Sequence, residues 1–196
     1  ANLRSLSVSL SDFSKLEIEP VQQFLSLPSV MIRGVPTYSQ MTLNHPDCKT
    51  MCSPTAISMQ LGYISKQHVD PVAFAGKCYD HGLGAYGSWP FNVAHAFELC
   101  PKRTFRVVRL NGFRDLYDYL VRKIPVVVSV RGYMDGAPQE YKNGHLLTVV
   151  GWDQQKQSVI CHDPAIVDDH QVRHLYKISH FLRSWESSHR LAYIVE

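Results

Sequence analysis

Apolar positions in the first half of the chain recur at helical spacing. Ile57, Leu61 and Ile64 predict a helix over residues 53–65. Ser53 stands where a serine oxygen can cap the free N–H groups of the first helical turn. Pro54 follows at the first helical position, which proline favours. Two further helices are predicted over residues 71–79 and 89–97.

The second half of the chain changes to patterns typical of strands. The run over residues 125–130 is apolar at nearly every position and predicts a strand buried on both faces. Residues 146–152 and 158–162 predict an antiparallel pair. Further elements are predicted as strands over 105–108 and 191–195 and as helices over 113–122 and 178–185. Helices followed by strands indicate an α+β fold, with a helical half before an antiparallel sheet.

The first 33 residues have a different pattern of apolar and polar side chains from the rest of the chain. Residues 3–10 and 16–19 alternate apolar and polar side chains, which predicts two short half-buried strands. Pro28, Gly34 and Pro36 then interrupt the pattern. We therefore expect an accessory β segment over residues 1–33 and a main domain over residues 34–196.

Composition limits the class of protein. With 196 residues, 45% of them hydrophobic, the chain can build one sizeable core. Its net charge of +3 is scattered without a basic run, which argues against a nucleic-acid partner. No stretch approaches the roughly 20 apolar residues of a membrane-spanning helix. The preferred interpretation of the first residues is an exported product that has lost its targeting segment, while the location and the oligomeric state stay open.

Five cysteines, an odd number, leave at least one thiol unpaired in the monomer. The other four allow up to two disulfides in an exported protein, or all five are thiols in the cytosol. His45, Cys48 and Cys52 stand in an H-x2-C-x3-C pattern without a second paired cluster, which is a poor match to structural zinc sites. We therefore expect no metal and no other cofactor.

Three residues carry the candidate chemistry. Cys52 precedes the first predicted helix, where the helix dipole lowers the pKa of a thiol. If the hairpin loop spans 153–155, His145 and Asp163 lie opposite each other, with Cβ atoms about 4.5 to 5.5 Å apart. A thiol, an imidazole and a carboxylate are a nucleophile, its base and an orienting acid. The backbone N–H of Cys52 and the side chain of Gln40 are candidate oxyanion donors.

The same residues lie in longer motifs, at residues 35–40, 52–56, 144–153 and 163–164. With these motifs the chain resembles the C39-like peptidases, a branch of the papain-like cysteine peptidases. The resemblance implies a papain-like fold, with Cys52 on the helical half, His145 and Asp163 on the β half, and a peptide or protein substrate. It also implies that Gln40 matches the oxyanion glutamine. The family commonly has glycine after the nucleophile, so Ser53 is expected to narrow the approach to the thiol.

The leading hypothesis is a cysteine peptidase that hydrolyses a peptide or isopeptide bond through an acyl-enzyme on Cys52. An acyltransferase would use the same thiolate and pass the acyl group to an amine. A binding module that keeps the papain-like shape without turnover is the third interpretation, suggested by Ser53 and the additional β segment. His162 is expected to point away from Asp163, on the other face of its strand, and to have no catalytic role.

Overall fold

The computed structural model describes residues 20–196, so the strands predicted within residues 3–10 and 16–19 lie outside the described residues. The described helices are α1 Cys52–Ser65, α2 Pro71–Cys78, α3 Trp89–Leu99, α4 Phe113–Val121 and α5 Ile178–Glu186. The strands are β1 Val30–Met31, β2 Phe105–Arg109, β3 Val126–Gly132, β4 Tyr141–Asp153, β5 Ser158–His162, β6 Arg173–Lys177 and β7 Leu191–Val195. This order of helices and strands confirms the predicted α+β class.

The strands form one antiparallel sheet in the order β2-β7-β3-β4-β5-β6, and β1 pairs with β4. α1 packs against β3 and β4, α4 packs against β4, β3 and β1, and α5 packs against β3, β6 and β5. Phe113 of α4 meets Trp152 of β4 edge-on, with ring centroids 5.5 Å apart, and lies 6.5 Å from Phe181 of α5. These buried aromatic contacts join the helices to the longest strand.

The helix starts follow the sequence signals at α2 and depart from them at α1. Asp70 caps α2, because its Oδ1 accepts hydrogen bonds from the backbone N–H groups of Val72 and Ala73 at 2.7 and 3.0 Å. The prediction that Ser53 caps α1 is wrong. The helix begins at Cys52, its N-cap is Met51, and Ser53 lies inside the first turn. The Ser53 hydroxyl is buried and lies 2.9 Å from the Tyr193 hydroxyl.

The β4–β5 hairpin also differs from its predicted register. Asp153 pairs with Ser158, so the turn spans residues 154–157, and a register shift between Val149 and Gly151 moves the pairing again. Thr148 consequently pairs with His162, and β5 ends there, before Asp163. The prediction that His145 and Asp163 are opposed in the ladder is therefore wrong. The bulge and the longer turn shift the pairing, so Asp163 follows the end of β5 and is not paired with His145.

The described residues before position 34 pack onto the main core. Phe24, Leu27 and Ile32 are buried in the same hydrophobic cluster as the helices and the sheet. The indole N–H of Trp152 donates a 3.0 Å hydrogen bond to the carbonyl of Leu27. A Cβ on Gly151 would lie 2.5 Å from the carbonyl oxygen of Val30, so only glycine permits β1 to approach β4 this closely. The predicted boundary near residue 34 therefore does not coincide with a break in packing.

One unpredicted strand matters for the site. β6 has the sequence Arg-His-Leu-Tyr-Lys, whose mixed polarity gives no clear strand pattern, and it pairs along the whole of β5. Because it follows the Asp163 turn, β6 covers the edge of the sheet next to that residue.

No helix within residues 20–196 has the length and apolar character needed to cross a membrane.

Candidate active site

The Cys52 thiol lies at the amino end of α1 and is half-buried. Burial favours the neutral thiol, but a hydrogen bond from His145, the charge of that ring and the backbone N–H groups of Leu146 and Ser53 outweigh it. Together they lower the pKa of Cys52 below its ordinary value of 9.0. The sulfur is therefore in contact with donors from both the helix and β4, and the arrangement favours a thiolate.

His145 lies on β4 directly after Gly144, whose φ of +89° is a conformation that glycine adopts readily. Its Nε2 is 2.7 Å from Oδ1 of Asp163, which leaves Nδ1 for the hydrogen bond with Cys52. Burial disfavours the charged ring, but the charge of Asp163 and the hydrogen bonds with Asp163 and Cys52 raise the pKa of His145 to about 10. The raised pKa of His145 and the lowered pKa of Cys52 favour an imidazolium between a carboxylate and a thiolate.

Asp163 is completely buried and its carboxylate accepts four hydrogen bonds. Oδ1 accepts from His145 and from the backbone N–H of Ala165 at 2.9 Å. Oδ2 accepts from the hydroxyls of Tyr141 at 2.7 Å and Tyr176 at 2.5 Å. Burial would raise the pKa of Asp163, but the His145 charge and these side-chain donors lower it to about 2. The carboxylate is therefore ionised and fixed behind the imidazole.

Tyr141 and Tyr176 are site residues that the sequence reasoning missed. Tyr141 opens β4, and its ring also stacks on the His145 ring, with centroids 4.1 Å apart and an interplanar angle of 17°. Tyr176 lies on β6, the strand that was not predicted. Burial and the charge of Asp163 raise the pKa of both hydroxyls, so both remain donors. A tyrosine four residues before the histidine was the one signal available in the sequence.

Gln40 lies on the segment that leads to the thiol and is buried. Its Nε2 donates to the carbonyls of Cys48 at 3.1 Å and Lys49 at 2.7 Å, in the 3₁₀ turn before α1. Its Oε1 is buried and has no hydrogen-bond partner among the described residues. The side chain therefore stabilises the loop before Cys52, and one of its two hydrogen bonds must be released before Nε2 can bind an oxyanion.

The segment carrying Gln40 is tied to the turn after Asp163. The backbone N–H of Gln40 donates to the carbonyl of Pro164 at 2.8 Å. The backbone N–H of Ser39 donates to Oδ1 of Asp169 at 2.6 Å, and the Thr42 hydroxyl donates to the same oxygen at 3.2 Å. These contacts fix the loop after the carboxylate against the loop before the thiol.

The remaining candidates lie outside this cluster. His162 is buried, and its Nδ1 is 2.9 Å from the carbonyl of Pro36 rather than near Asp163. All five cysteines are free thiols, and burial raises the pKa of Cys78 and Cys161, opposite to the shift at Cys52. Within residues 20–196 no three metal-ligating side chains are grouped, so His45, Cys48 and Cys52 do not form a metal cluster.

Solved structures of cysteine proteases share this architecture. A protein from Bacillus anthracis described as a C39-like peptidase aligns with a TM-score of 0.62 and 17% identity, over 85% of this chain and 98% of its own. Xylellain, a cysteine protease from Xylella fastidiosa, aligns with a TM-score of 0.53 and 11% identity, over 96% and 93%. Digestive procathepsin L 3 from the larval midgut of Tenebrio molitor has a TM-score of 0.52 and 13% identity, over 85% and 69%.

These likenesses define a papain-like α+β fold, as the sequence predicted. The model of the Peptidase_C39 like family matches residues 32–193, and the chain belongs to that family. A search of curated proteins finds no match to this chain. Family and fold together support a peptidase of the papain-like class, which acts on a peptide or protein substrate.

Proposed function

We propose that this protein is a cysteine peptidase that hydrolyses a peptide or isopeptide bond through an acyl-enzyme on Cys52. The observation that carries the proposal is the continuous chain of contacts from the Cys52 sulfur through the His145 ring to Asp163. His145 acts as general acid and base, and Asp163 orients it. The lowered pKa of Cys52 and the raised pKa of His145 support an ion pair that is ready to react.

In the first step the Cys52 thiolate attacks the substrate carbonyl carbon, a C–S bond forms, and the carbonyl electron pair moves to oxygen. The backbone N–H of Cys52 is the first candidate donor for that oxyanion. Gln40 is the second, after its amide turns away from the Lys49 carbonyl. The protonated His145 then donates its Nδ1 proton to the leaving nitrogen, the C–N bond breaks, and a thioester remains.

In the second step water attacks the thioester while neutral His145 accepts its proton. The second tetrahedral intermediate collapses, the C–S bond breaks, and the acid product leaves. His145 is again protonated and Cys52 is again a thiolate. An amine that replaced the water would give acyl transfer on the same residues, so the acceptor alone separates the two reactions.

The test combines labelling and turnover. Iodoacetamide at neutral pH, with each cysteine quantified by mass spectrometry, should modify Cys52 much faster than the half-buried Cys48 and Cys100. A mixed peptide library should be cleaved by the parent and not by Cys52→Ala, while Cys100→Ala, the matched control, keeps full activity. Cleavage that persists in Cys52→Ala would contradict the proposal. A product that contains an added amine instead of water would identify the transferase.

A thiolate without turnover would instead fit a papain-like binding module. In that case Cys52 would be labelled rapidly, yet no library peptide or amine acceptor would be converted. The contact between the Cys52 sulfur and the His145 ring favours the enzyme over the binding module, because a shifted thiol pKa is typical of catalytic sites.

A further inference from the structure

A polar pocket lies beside the candidate active site and is not used by the mechanism above. It encloses about 230 Å³ and reaches Gly144, the residue before His145. Ser129 and Arg131 of β3 line it, together with Arg109 of β2 and Trp89 of α3. Pockets that hold drug-sized ligands measure about 300 to 1,000 Å³, so this one suits a single side chain or chain end.

The sheet register places this pocket close to the Cys52 thiol. Ser129 is the cross-strand partner of Leu146, whose backbone N–H is hydrogen-bonded to the Cys52 sulfur. Thr148, two residues further on β4, donates to the carbonyl of Ala56 in α1, so this face of the sheet is the one that α1 covers. The pocket therefore continues the α1 side of the sheet beyond the amino end of the helix.

Among the described residues, the charged side chains that line the pocket are both arginines. Arg109 and Arg131 both contribute, and none of the described residues that line it is an aspartate or glutamate. Nη1 of Arg109 donates to the carbonyls of Ser188 at 3.2 Å and His189 at 3.0 Å. These hydrogen bonds hold one positive group in place at the wall of the pocket.

Arg131 is the group best placed to bind a ligand. Its Nε donates to the carbonyl of Lys142 at 3.1 Å, which anchors the guanidinium across the β3–β4 hairpin. Its two terminal nitrogens form no hydrogen bond or ion pair with any residue that the structure describes. A guanidinium fixed through Nε presents those nitrogens as a fork that matches the two oxygens of a carboxylate.

We propose that this pocket binds a carboxylate of the substrate close to the scissile bond, so that the enzyme prefers acidic peptides. The inference rests on the proposed function, because the ligand is taken to be the peptide that Cys52 attacks. The carboxylate comes either from a glutamate or aspartate side chain or from the carboxyl terminus of the peptide. Both sources offer the same charge and geometry to Arg131.

Binding is measured on Cys52→Ala, so that turnover does not deplete the ligand. Three degenerate peptide pools of equal length are titrated by calorimetry: central Glu with an amidated end, central Gln with an amidated end, and central Gln with a free carboxylate. At least one carboxylate pool should bind roughly tenfold more tightly than the neutral pool. The pool that gains affinity identifies the source of the carboxylate. Equal affinity for all three pools would overturn the inference.

Substitutions then assign the preference to the pocket. Arg131→Gln in the same background should remove the preference, and Arg131→Lys should retain only part of it, because the charge stays and the fork is lost. Arg114→Gln is the matched control, since Arg114 is an exposed residue of α4 that pairs with Asp118 at 3.3 Å and does not line the pocket. A preference that survives Arg131→Gln would also overturn the inference.

The two proposals can fail separately. If the parent cleaves a peptide library without regard to acidic residues, the pocket inference fails and the peptidase proposal stands. If no peptide is cleaved and Cys52 is not selectively labelled, the proposed function fails, while the calorimetric titration still reports whether Arg131 binds a carboxylate. Added salt should weaken the preference, because it screens this exposed charge.

Discussion

Tyr176 donates a 2.5 Å hydrogen bond to Oδ2 of Asp163, the carboxylate oxygen that does not bind His145. Tyr141 donates to the same oxygen at 2.7 Å. With both oxygens bonded, the carboxylate has one orientation and presents Oδ1 to the imidazole. The two tyrosines are thus positioning residues, since they act on the thiol only through Asp163 and His145.

Tyr176→Phe should therefore remove one hydrogen bond to the Asp163 carboxylate and leave the carboxylate itself in place. The buried charge loses one donor, which should reduce the free energy of unfolding by about 1.5 to 3 kcal/mol. The pKa of Asp163 should rise above about 2, because one of the groups that lower it is gone. Urea unfolding measures the first effect and an NMR titration of the carboxyl carbon the second.

Tyr117→Phe is the control for this substitution. The Tyr117 hydroxyl donates to the carbonyl of Pro28 at 3.0 Å. Its acceptor is therefore a neutral group, and both residues are distant from Asp163 in the sequence. Tyr117→Phe should lower stability without moving the pKa of Asp163. If Tyr176→Phe also left that pKa unchanged, Tyr176 would have only a structural role.

Cys52, His145 and Asp163 could be proposed from the sequence because each has a local signal. A cysteine before a Pro-Thr helix start, a Gly-His pair at an apolar strand and an Asp-Pro turn are visible without a structure. The α+β class could be predicted for the same reason, since the helical and strand spacings are separated along the chain.

The support around those residues could not be predicted, because it depends on tertiary pairing. The bulge near Val150 and the turn over residues 154–157 changed the hairpin register, and neither has a distinct composition. Tyr176 is on a strand of mixed polarity that forms only because β5 is present to pair with it. The burial of Ser53 against Tyr193 joins residues 140 positions apart, which no local pattern encodes.

The pH dependence of alkylation tests the ion pair. Because the pKa of Cys52 is lowered below 9.0, its alkylation rate should rise at a lower pH than that of an ordinary thiol. The imidazolium is lost as the pH passes about 10, the raised pKa of His145. Asp163→Asn removes the charge that most raises the pKa of His145, so the inflection for Cys52 should move to higher pH. Identical profiles for the two proteins would show that Asp163 does not support the pair.

Gln40→Ala separates two roles for this side chain. If Gln40 supplies an oxyanion donor, peptide hydrolysis should fall by roughly 10²-fold to 10³-fold while alkylation of Cys52, which forms no oxyanion, stays unchanged. If Gln40 only fixes the loop through the carbonyls of Cys48 and Lys49, hydrolysis and alkylation should fall together. Rates of both reactions on one preparation decide between the two roles.

Ser53→Ala tests the finding that this hydroxyl faces Tyr193 instead of the cleft. The substitution leaves the buried Tyr193 hydroxyl without its partner and should cost about 1 to 3 kcal/mol of stability. Alkylation of Cys52 should be unaffected, because the removed atom does not line the approach to the sulfur. Adding Tyr193→Phe should recover part of the lost stability in a double-mutant cycle. Faster alkylation of Ser53→Ala would mean that Ser53 does narrow the approach.

His162 should make the folded state sensitive to mild acid. Burial and the charge of Arg173 lower its pKa to about 4, despite the hydrogen bond to the carbonyl of Pro36, whereas the unfolded chain has the ordinary value of 6.5. Between these values the unfolded state binds one more proton, so stability should fall by about 1.4 kcal/mol per pH unit as the pH drops from 6.5 to about 4. Below that window the folded ring is also protonated and this contribution stops changing.

His162→Asn isolates this effect from other acid-sensitive groups. The asparagine amide can still donate to the carbonyl of Pro36, in place of Nδ1, but does not titrate. Urea unfolding at intervals from pH 7 to pH 4 should therefore show a shallower loss of stability in the variant than in the parent. Asp163 contributes only at the acid end of this range, because its stabilisation is lost as the pH falls through the ordinary value of 3.8 towards its lowered pKa of about 2. Equal slopes for parent and variant would mean that folding does not lower the pKa of His162.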